Sequence, residues 1–258
     1  MFSLGCSYHW YDTAKICLIL ERFDGVVFVG DETLQSIYAG FNILLRQDLG
    51  LGAMKQWEMA DEELQMCKCE NQFAKRSCVK YLVNASEQIS ANARNVRERP
   101  ATYPHQCTPH EFLNVHVMPM STRTISTFNQ LVPKASPSVY RPMPIIYSLT
   151  SHHSTSAATK NLDDLILYAD ATKRKAPMLW VGPPAPTHLE GKEGSLQQDV
   201  WQFSMEMAQA AKDRGVDSLG LWNMTVQANG NGKNFGEGVA ITQAMMVTHR
   251  CPLTRCWC

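Results

Sequence analysis

The chain has 258 residues, of which 45% are hydrophobic and 19% are charged, enough for one α/β domain with a complete core. Lys and Arg together number 24, as do Asp and Glu, so the net charge is zero and the basic excess of a nucleic-acid-binding protein is missing. No apolar run approaches the roughly 20 residues of a membrane-spanning helix. We therefore expect neither a nucleic-acid partner nor a membrane span in this chain.

Predicted strands and helices alternate along the chain. Residues Val26–Gly30 form a short continuous apolar run, as buried parallel strands do. Apolar residues then recur at three- and four-residue steps from Leu34 to Leu45, which predicts a helix. The same patterns predict strands at 112–118, 145–149, 178–181 and 218–222, and helices at 122–131, from near Asn161 to 168, at 195–214 and at 239–247. This alternation favours a three-layer α/β/α fold with a parallel sheet, in one domain spanning 1–258.

Cysteines are concentrated in the first half of the chain. Segment 51–110 lacks a regular hydrophobic pattern, and we interpret it as an insertion stapled by disulfides. A zinc site is the alternative, but the cysteine spacings differ from the paired C-x₂₋₄-C pattern of zinc knuckles. Its ligands would be Cys67, Cys69, Cys78 and Cys107, with His105 or His110. The spacing therefore favours disulfides in an oxidising compartment. The cysteines before residue 108 are Cys6, Cys17, Cys67, Cys69, Cys78 and Cys107.

Two N-x-[ST] sequons, at Asn84 and Asn223, agree with passage through the secretory pathway. Residues 1–5 have neither the basic nor the apolar region of a signal peptide. A leader outside this sequence would reconcile the two observations. We therefore expect the protein in the secretory lumen or outside the cell.

Residues 248–258 form a tail that differs in composition from the rest of the chain. Cys251, Cys256 and Cys258 fall within eight residues, after none since Cys107. An altered or misread 3′ end is one interpretation of this break. A disulfide-bearing or metal-binding tail is the other.

Titratable residues follow several of the predicted strands. In an open parallel sheet, ligands bind beyond the carboxyl ends of the strands, near the switch in strand order. Asp31 and Glu32 follow the first strand, and acidic residues suit a helix N-terminus, so we interpret them as capping residues. Three histidines follow later strands: His152, His153 and His188. The pair His152-His153 could supply a base from another loop or bind a metal with Asp31 and Glu32, and His188 is a similar candidate.

Residues near both ends of the sequence carry a family resemblance: Gly5-Cys6, His9, Tyr11, Cys17-Leu18, 27–31, 222–225 and 231–236. They resemble the PC-esterase branch of the SGNH (GDSL-type) hydrolase superfamily, which includes Cas1p-like and trichome-birefringence-like O-acetyltransferases, and the resemblance spans nearly the whole chain. It implies an SGNH-like (flavodoxin-like) α/β/α fold and a lumenal enzyme acting on ester bonds of carbohydrate. It further implies a Ser nucleophile, with an Asp and a His three residues apart near the C-terminus. We expect no cofactor and no metal.

The residues at the catalytic positions of that family differ here. Glu32 stands where the resemblance places the Ser nucleophile, and Asn231 and Asn234 stand at the Asp and His positions. An Asn side chain cannot take a proton near neutral pH, and a Glu could attack an ester only by forming a reactive anhydride. We therefore predict that the chain is inactive as a serine acyl-esterase.

The same resemblance predicts which residues line the cleft. Ser148 or Thr150 takes the place of the family's oxyanion-hole Asn. A retained cleft would bind a glycan, an acetylated carbohydrate or a protein partner. The alternative is an active carbohydrate O-acetyltransferase or acetylesterase with a non-standard site. The predicted cleft residues are Gly30, Asp31, Ser148, His152, His153 and His188.

Overall fold

The computed structural model describes residues 10–93, 107, 110–115, 121–133, 141–149, 154–186, 193–226, 228 and 235–250. Five parallel strands of these residues form one sheet: β1 (Val26–Gly30), β2 (His110–Asn114), β3 (Ile145–Ser148), β4 (Met178–Val181) and β5 (Asp217–Leu219). Their order across the sheet is β2-β1-β3-β4-β5, the doubly wound, flavodoxin-like order. Because the order reverses between β1 and β3, the switch point lies there.

Helices connect and cover these strands. Four short helices within residues 61–93 lie between β1 and β2, together with a 3₁₀ turn at Gln56–Glu58. The helices of the described residues are α1 (Thr13–Leu20), α2 (Glu32–Arg46), α3 (Asp61–Met66), α4 (Asn71–Ala74), α5 (Arg76–Val79), α6 (Ser86–Ala93), α7 (Thr122–Leu131), α8 (Thr155–Ala171), α9 (Glu193–Asp213), α10 (Trp222–Thr225) and α11 (Gly236–Arg250). Among them, none has the length and hydropathy needed to cross a bilayer.

Side chains alternate between the two faces of the sheet, as the period of two along a strand requires. Phe28 and Ile146 belong to a buried cluster that includes residues of α1, α2 and α11. Val29 and Tyr147, one residue further along the same strands, belong to a second cluster with α7, α8 and α9. The sheet therefore lies between two helical layers, and the predicted three-layer α/β/α fold with a parallel, flavodoxin-like sheet is confirmed.

Segment 51–82 packs on the outer side of α2 and α11. Its buried residues share a third cluster with Ile43 of α2 and Ala240 of α11. The guanidinium of Arg46 donates from Nη1 to the carbonyl oxygens of Gly52 and Met54, both at 2.8 Å. These bonds attach the segment to the end of α2, so this helix pair is covered on both sides.

Two pairs of cysteines lie at disulfide distance. Cys17 pairs with Cys107, with their Cα atoms 5.0 Å apart, and Cys67 pairs with Cys78, with 5.7 Å between Cα atoms. Cys69 is exposed and has a free thiol. The predicted disulfides are confirmed for these two pairs, so three of the cysteines considered for zinc are already bonded. Disulfides of this kind are typical of an oxidising compartment.

Several predicted strand bounds were wrong. β2 begins at His110, two residues before the predicted start. β5 ends at Leu219, whereas the prediction extended it to residue 222. The short helix α10 begins at Trp222 instead, and the Thr225 hydroxyl donates to the Leu221 carbonyl at 2.9 Å within its turn. Trp222 thus belongs to a helical turn and not to β5.

Helix positions also differ from the prediction. α8 begins at Thr155, well before the predicted start near Asn161, because the Ser154 hydroxyl caps it by accepting from the Ala157 amide at 3.2 Å. α1 was not predicted at all. It has only eight residues, and the Asp12 carboxylate caps it by accepting from the Lys15 amide at 2.8 Å.

Candidate functional site

The carboxyl ends of β1 and β3 meet at the switch point. Gly30 ends β1 and is in register with Ser148 at the end of β3. A Cβ atom on Gly30 would collide with the Ser148 carbonyl oxygen and press on the Leu34 side chain. Only glycine therefore allows the two strand ends and the start of α2 to approach this closely.

Asp31 and Glu32 form the turn from β1 into α2. Asp31 is buried, with 6% of its surface exposed, and its Oδ1 accepts from the Thr33 amide at 3.1 Å as the N-cap of α2. Glu32 is the first residue of the helix and is exposed. A negative charge in this first turn is favourable because the helix N-terminus carries a partial positive charge. The capping interpretation is confirmed for Asp31 and agrees with the position of Glu32.

Ser148 is completely buried. Its hydroxyl has no hydrogen-bond partner among the described residues. An enclosed hydroxyl of this kind cannot reach a substrate in solution. Ser148 therefore offers no accessible hydroxyl at the switch point.

Tyr147, beside Ser148 on β3, was not among the predicted site residues. Its ring is buried and its hydroxyl donates to the Ala158 carbonyl at 3.3 Å. Burial, and in addition the negative charge of Asp31, raise the pKa of the Tyr147 hydroxyl well above its ordinary value. Tyr147 is therefore neutral and serves as a packed support for α8 under the sheet edge.

A shallow depression lies beside the start of α2. Its wall combines aromatic rings with hydroxyl and amide groups, and it was missed by sequence reasoning because four distant segments contribute to it. A hydrophobic pattern detects one segment at a time and contains no signal for such a combination. The lining residues are Thr33, Ser36, Phe73, Pro184, Phe235, Gly236, Ala240 and Gln243.

Glu70 fixes the far border of this depression. Its Oε2 accepts from the Glu237 amide at 2.9 Å and so satisfies the first turn of α11. Gly236 has a φ of +78°, and a side chain there would collide with the Glu70 carboxylate. Burial, followed by the charges of Glu70 and Asp48, raises the pKa of Glu237. Segment 51–82 thus positions α11 at the depression.

The two histidines in the described residues are at other places. His110 begins β2, in register with Val26 at the start of β1, and is therefore at the amino end of the strands. His249 lies near the end of α11, where its Nδ1 is 3.1 Å from the Tyr11 hydroxyl. Six predicted site residues lie outside the described residues and their roles stay predictions: Thr150, His152, His153, His188, Asn231 and Asn234.

Comparisons with known proteins were made for the whole chain. No protein-family model matches it, and no curated protein matches it significantly. Solved structures with some likeness include a GDSL-family lipolytic protein from Veillonella parvula DSM 2008, at 10% identity and a TM-score of 0.39 over 88% of this chain and 98% of that one. They also include Est24, a carbohydrate acetylesterase from Sinorhizobium meliloti, at 9% identity and a TM-score of 0.41 over 88% and 97%.

A third such structure is the aryl esterase of M. smegmatis, at 10% identity and a TM-score of 0.41 over 88% of this chain and 97% of that one. These values are too low to carry an argument about function. The fold class rests on this chain's own strand order and helical layers.

Proposed function

We propose that this protein is a catalytically silent protein of SGNH-like fold that binds carbohydrate at the carboxyl edge of its sheet. One observation carries the proposal. The first residue of α2 is Glu32, an exposed carboxylate at the strand-to-helix turn where the resemblance requires a serine hydroxyl. A carboxylate there has no hydroxyl to activate, and the resemblance supplies Asn231 and Asn234 in place of the acid and the base.

The depression beside Glu32 supports a binding role. Phe235 offers a partly exposed ring, and Thr33 and Ser36 offer partly exposed hydroxyl groups, whereas Phe73 and Gln243 are buried. A ligand site typically combines apolar walls with a few placed polar groups, and a sugar ring presents C–H faces and hydroxyls that match both. The carboxyl edge of the sheet thus carries apolar and polar groups that suit a sugar, but residue 32 there has no hydroxyl nucleophile. The chemistry of this edge therefore supports binding.

The catalytic half of the proposal is tested with an aryl acetate. The native chain should hydrolyse it no faster than background. The triple variant Glu32→Ser/Asn231→Asp/Asn234→His should exceed the native chain by at least about a hundredfold, because it restores a nucleophile, an orienting acid and a base together. The matched control is Glu32→Ala/Asn231→Asp/Asn234→His, which lacks only the nucleophile and should stay inactive. Saturable native turnover that Glu32→Ala abolishes would contradict the proposal and favour the non-standard enzyme.

The binding half is tested by calorimetry with acetylated and unacetylated oligosaccharides. Phe235→Ala should weaken binding at least about tenfold, since it removes an aromatic wall of the depression. Trp201→Ala is the control, because Trp201 is an exposed aromatic residue on α9 in the opposite helical layer. If no oligosaccharide binds saturably, or if both variants weaken binding equally, the carbohydrate site is not at this edge.

A further inference from the structure

We propose that the first N-acetylglucosamine of an N-glycan on Asn223 packs on Trp10 and covers an apolar groove beside the sheet edge at β5. The inference shares an oxidising secretory compartment with the proposed function and is otherwise independent of it. Asn223 belongs to an N-x-[ST] sequon and lies on α10, four residues after the end of β5. It also lines the groove that the sugar would cover.

The groove is apolar and of ligand size. Its walls include Trp10, Met224, Met245 and Met246, and its volume is about 480 Å³. Trp10 is 62% exposed, although Met245 and Met246, which line the same groove, are buried. A large exposed indole beside an apolar groove is an unfavourable arrangement unless something covers it.

The position of Asn223 is fixed while its side chain is exposed. Thr225, two residues further along, is 1% exposed, and its hydroxyl accepts from the Ala185 amide at 2.8 Å. The same hydroxyl donates to the Leu221 carbonyl at 2.9 Å. These bonds hold α10 against the loop after β4, so a group attached to the exposed Asn223 amide starts at the rim of the groove.

The modification uses the ordinary donor of the secretory pathway, an oligosaccharide on a lipid diphosphate. The Asn223 amide nitrogen forms a bond to C1 of N-acetylglucosamine, the bond from C1 to the lipid diphosphate breaks, and the amide loses one proton. The transfer takes place before the chain folds, so the later burial of Thr225 does not prevent it. The apolar C–H face of the sugar then packs on the Trp10 ring.

The second sequon offers a matched control. Asn84 is also exposed, but it lies at the other edge of the sheet, where its carbonyl accepts from the Phe112 amide at 2.8 Å. It does not line the groove of Trp10. A glycan on Asn84 should therefore add solubility without the specific packing expected at Asn223.

The test uses the full chain, directed into the secretory pathway of yeast. Peptide mass spectrometry should find Asn223 occupied. The chain made without N-glycans should show a drop in Tm of about 2 to 4 °C relative to the chain trimmed to one N-acetylglucosamine per site. Asn84→Gln should keep this drop, Asn223→Gln should abolish it, and Trp10→Phe should keep most of it because an aromatic face remains.

Three results would overturn the inference. They are an unoccupied Asn223, a drop in Tm that is equally large in Trp10→Ala, and a drop that depends on Asn84. If Trp10→Ala does not fold, NMR of the trimmed native chain decides, since the sugar protons should show contacts with the Trp10 indole. The absence of such contacts contradicts the proposal. None of these results bears on aryl acetate hydrolysis, so failure here and failure of the proposed function are distinguishable.

Discussion

His110 is a completely buried histidine at the beginning of β2. Its Nδ1 lies 3.0 Å from the Tyr38 hydroxyl, and its ring meets the Phe41 ring edge to face with 5.1 Å between centroids. Burial lowers the pKa of His110 from 6.5 to about 3. The folded protein therefore holds a neutral imidazole at any pH above this value.

This lowered pKa predicts a pH-dependent stability. The unfolded chain takes up a proton on His110 below pH 6.5 and the folded chain does so only near pH 3. The contribution of neutral His110 to the free energy of unfolding is thus fully present above pH 6.5. It is lost as the pH falls towards 3, at about 1.4 kcal/mol per pH unit. Chemical denaturation at pH 7, 5 and 4 should show this loss in the native chain and not in His110→Asn, which has no titrating ring. Parallel pH profiles would contradict the prediction.

Residue-level expectations succeeded where local chemistry decides them. Asp31 was predicted as a capping residue, and its carboxylate does cap α2, because an acidic side chain before a helix has a nearby amide to bind. His110 shows the limit of such reasoning. The sequence offered it as a zinc ligand, whereas its burial beside Tyr38 depends on segments that are distant in the chain.

At the level of elements, α2 and α11 pack closely against each other. A Cβ atom on Gly40 of α2 would collide with the backbone of Ala240 in α11, so the two helices approach as closely as glycine permits. Because α2 carries Asp31 and Glu32 at its start, this contact also positions the candidate site.

Two glycine substitutions should have opposite effects on stability. Gly40→Ala should lower the free energy of unfolding by about 1 to 3 kcal/mol, because the new methyl group forces α2 and α11 apart. Gly238→Ala, in the first turn of α11 with open space around it, should raise it by about 0.5 kcal/mol through helix propensity. Guanidinium denaturation measures both. Equal effects of the two variants would mean that the close contact does not exist.

Strands with a strong hydrophobic pattern were predicted more accurately than strands with a weak one. β1 and β4 were predicted with correct bounds because both are buried along their whole length and appear as uninterrupted apolar runs. β5 has only three residues and starts with an exposed Asp217, so its pattern merged with the apolar residues of α10. Periodicity detects long buried elements and has little signal for short ones at an edge.

On the scale of the whole molecule, the two disulfides of the described residues close loops of very different length. Cys17 and Cys107 are separated by 90 residues and join α1 to the region before β2, whereas Cys67 and Cys78 are separated by 11. A crosslink restricts the unfolded chain more when it closes a longer loop. The Cys17–Cys107 disulfide therefore restrains the part of the chain that contains β1.

Removing each disulfide should reveal this difference. Cys17→Ala/Cys107→Ala should lower the free energy of unfolding by about 4 to 5 kcal/mol, and Cys67→Ala/Cys78→Ala by about 2 to 3 kcal/mol. Cys69→Ser is the control and should change it little, since its thiol is exposed and free. Denaturant midpoints of the three proteins provide the comparison. A larger loss from the shorter loop would exclude the chain-entropy explanation.

The candidate site depends on the assembly of the whole molecule. Thr33 follows a predicted strand and was within reach of sequence reasoning. Phe73, Pro184 and Gln243 come from segment 51–82, the loop after β4 and α11, and their meeting point follows from tertiary packing alone. A strand-end rule finds the edge of the sheet, and it cannot find walls contributed by helices and insertions.

The covering of α2 on both sides has a thermodynamic consequence for any ligand at the sheet edge. Most of its residues are buried, from Leu34 to Arg46, and segment 51–82 holds the outer side. A ligand that touches the start of α2 therefore meets a surface whose conformational freedom was lost when the chain folded. Association there does not incur that ordering cost a second time, so a weak set of contacts can suffice for measurable affinity.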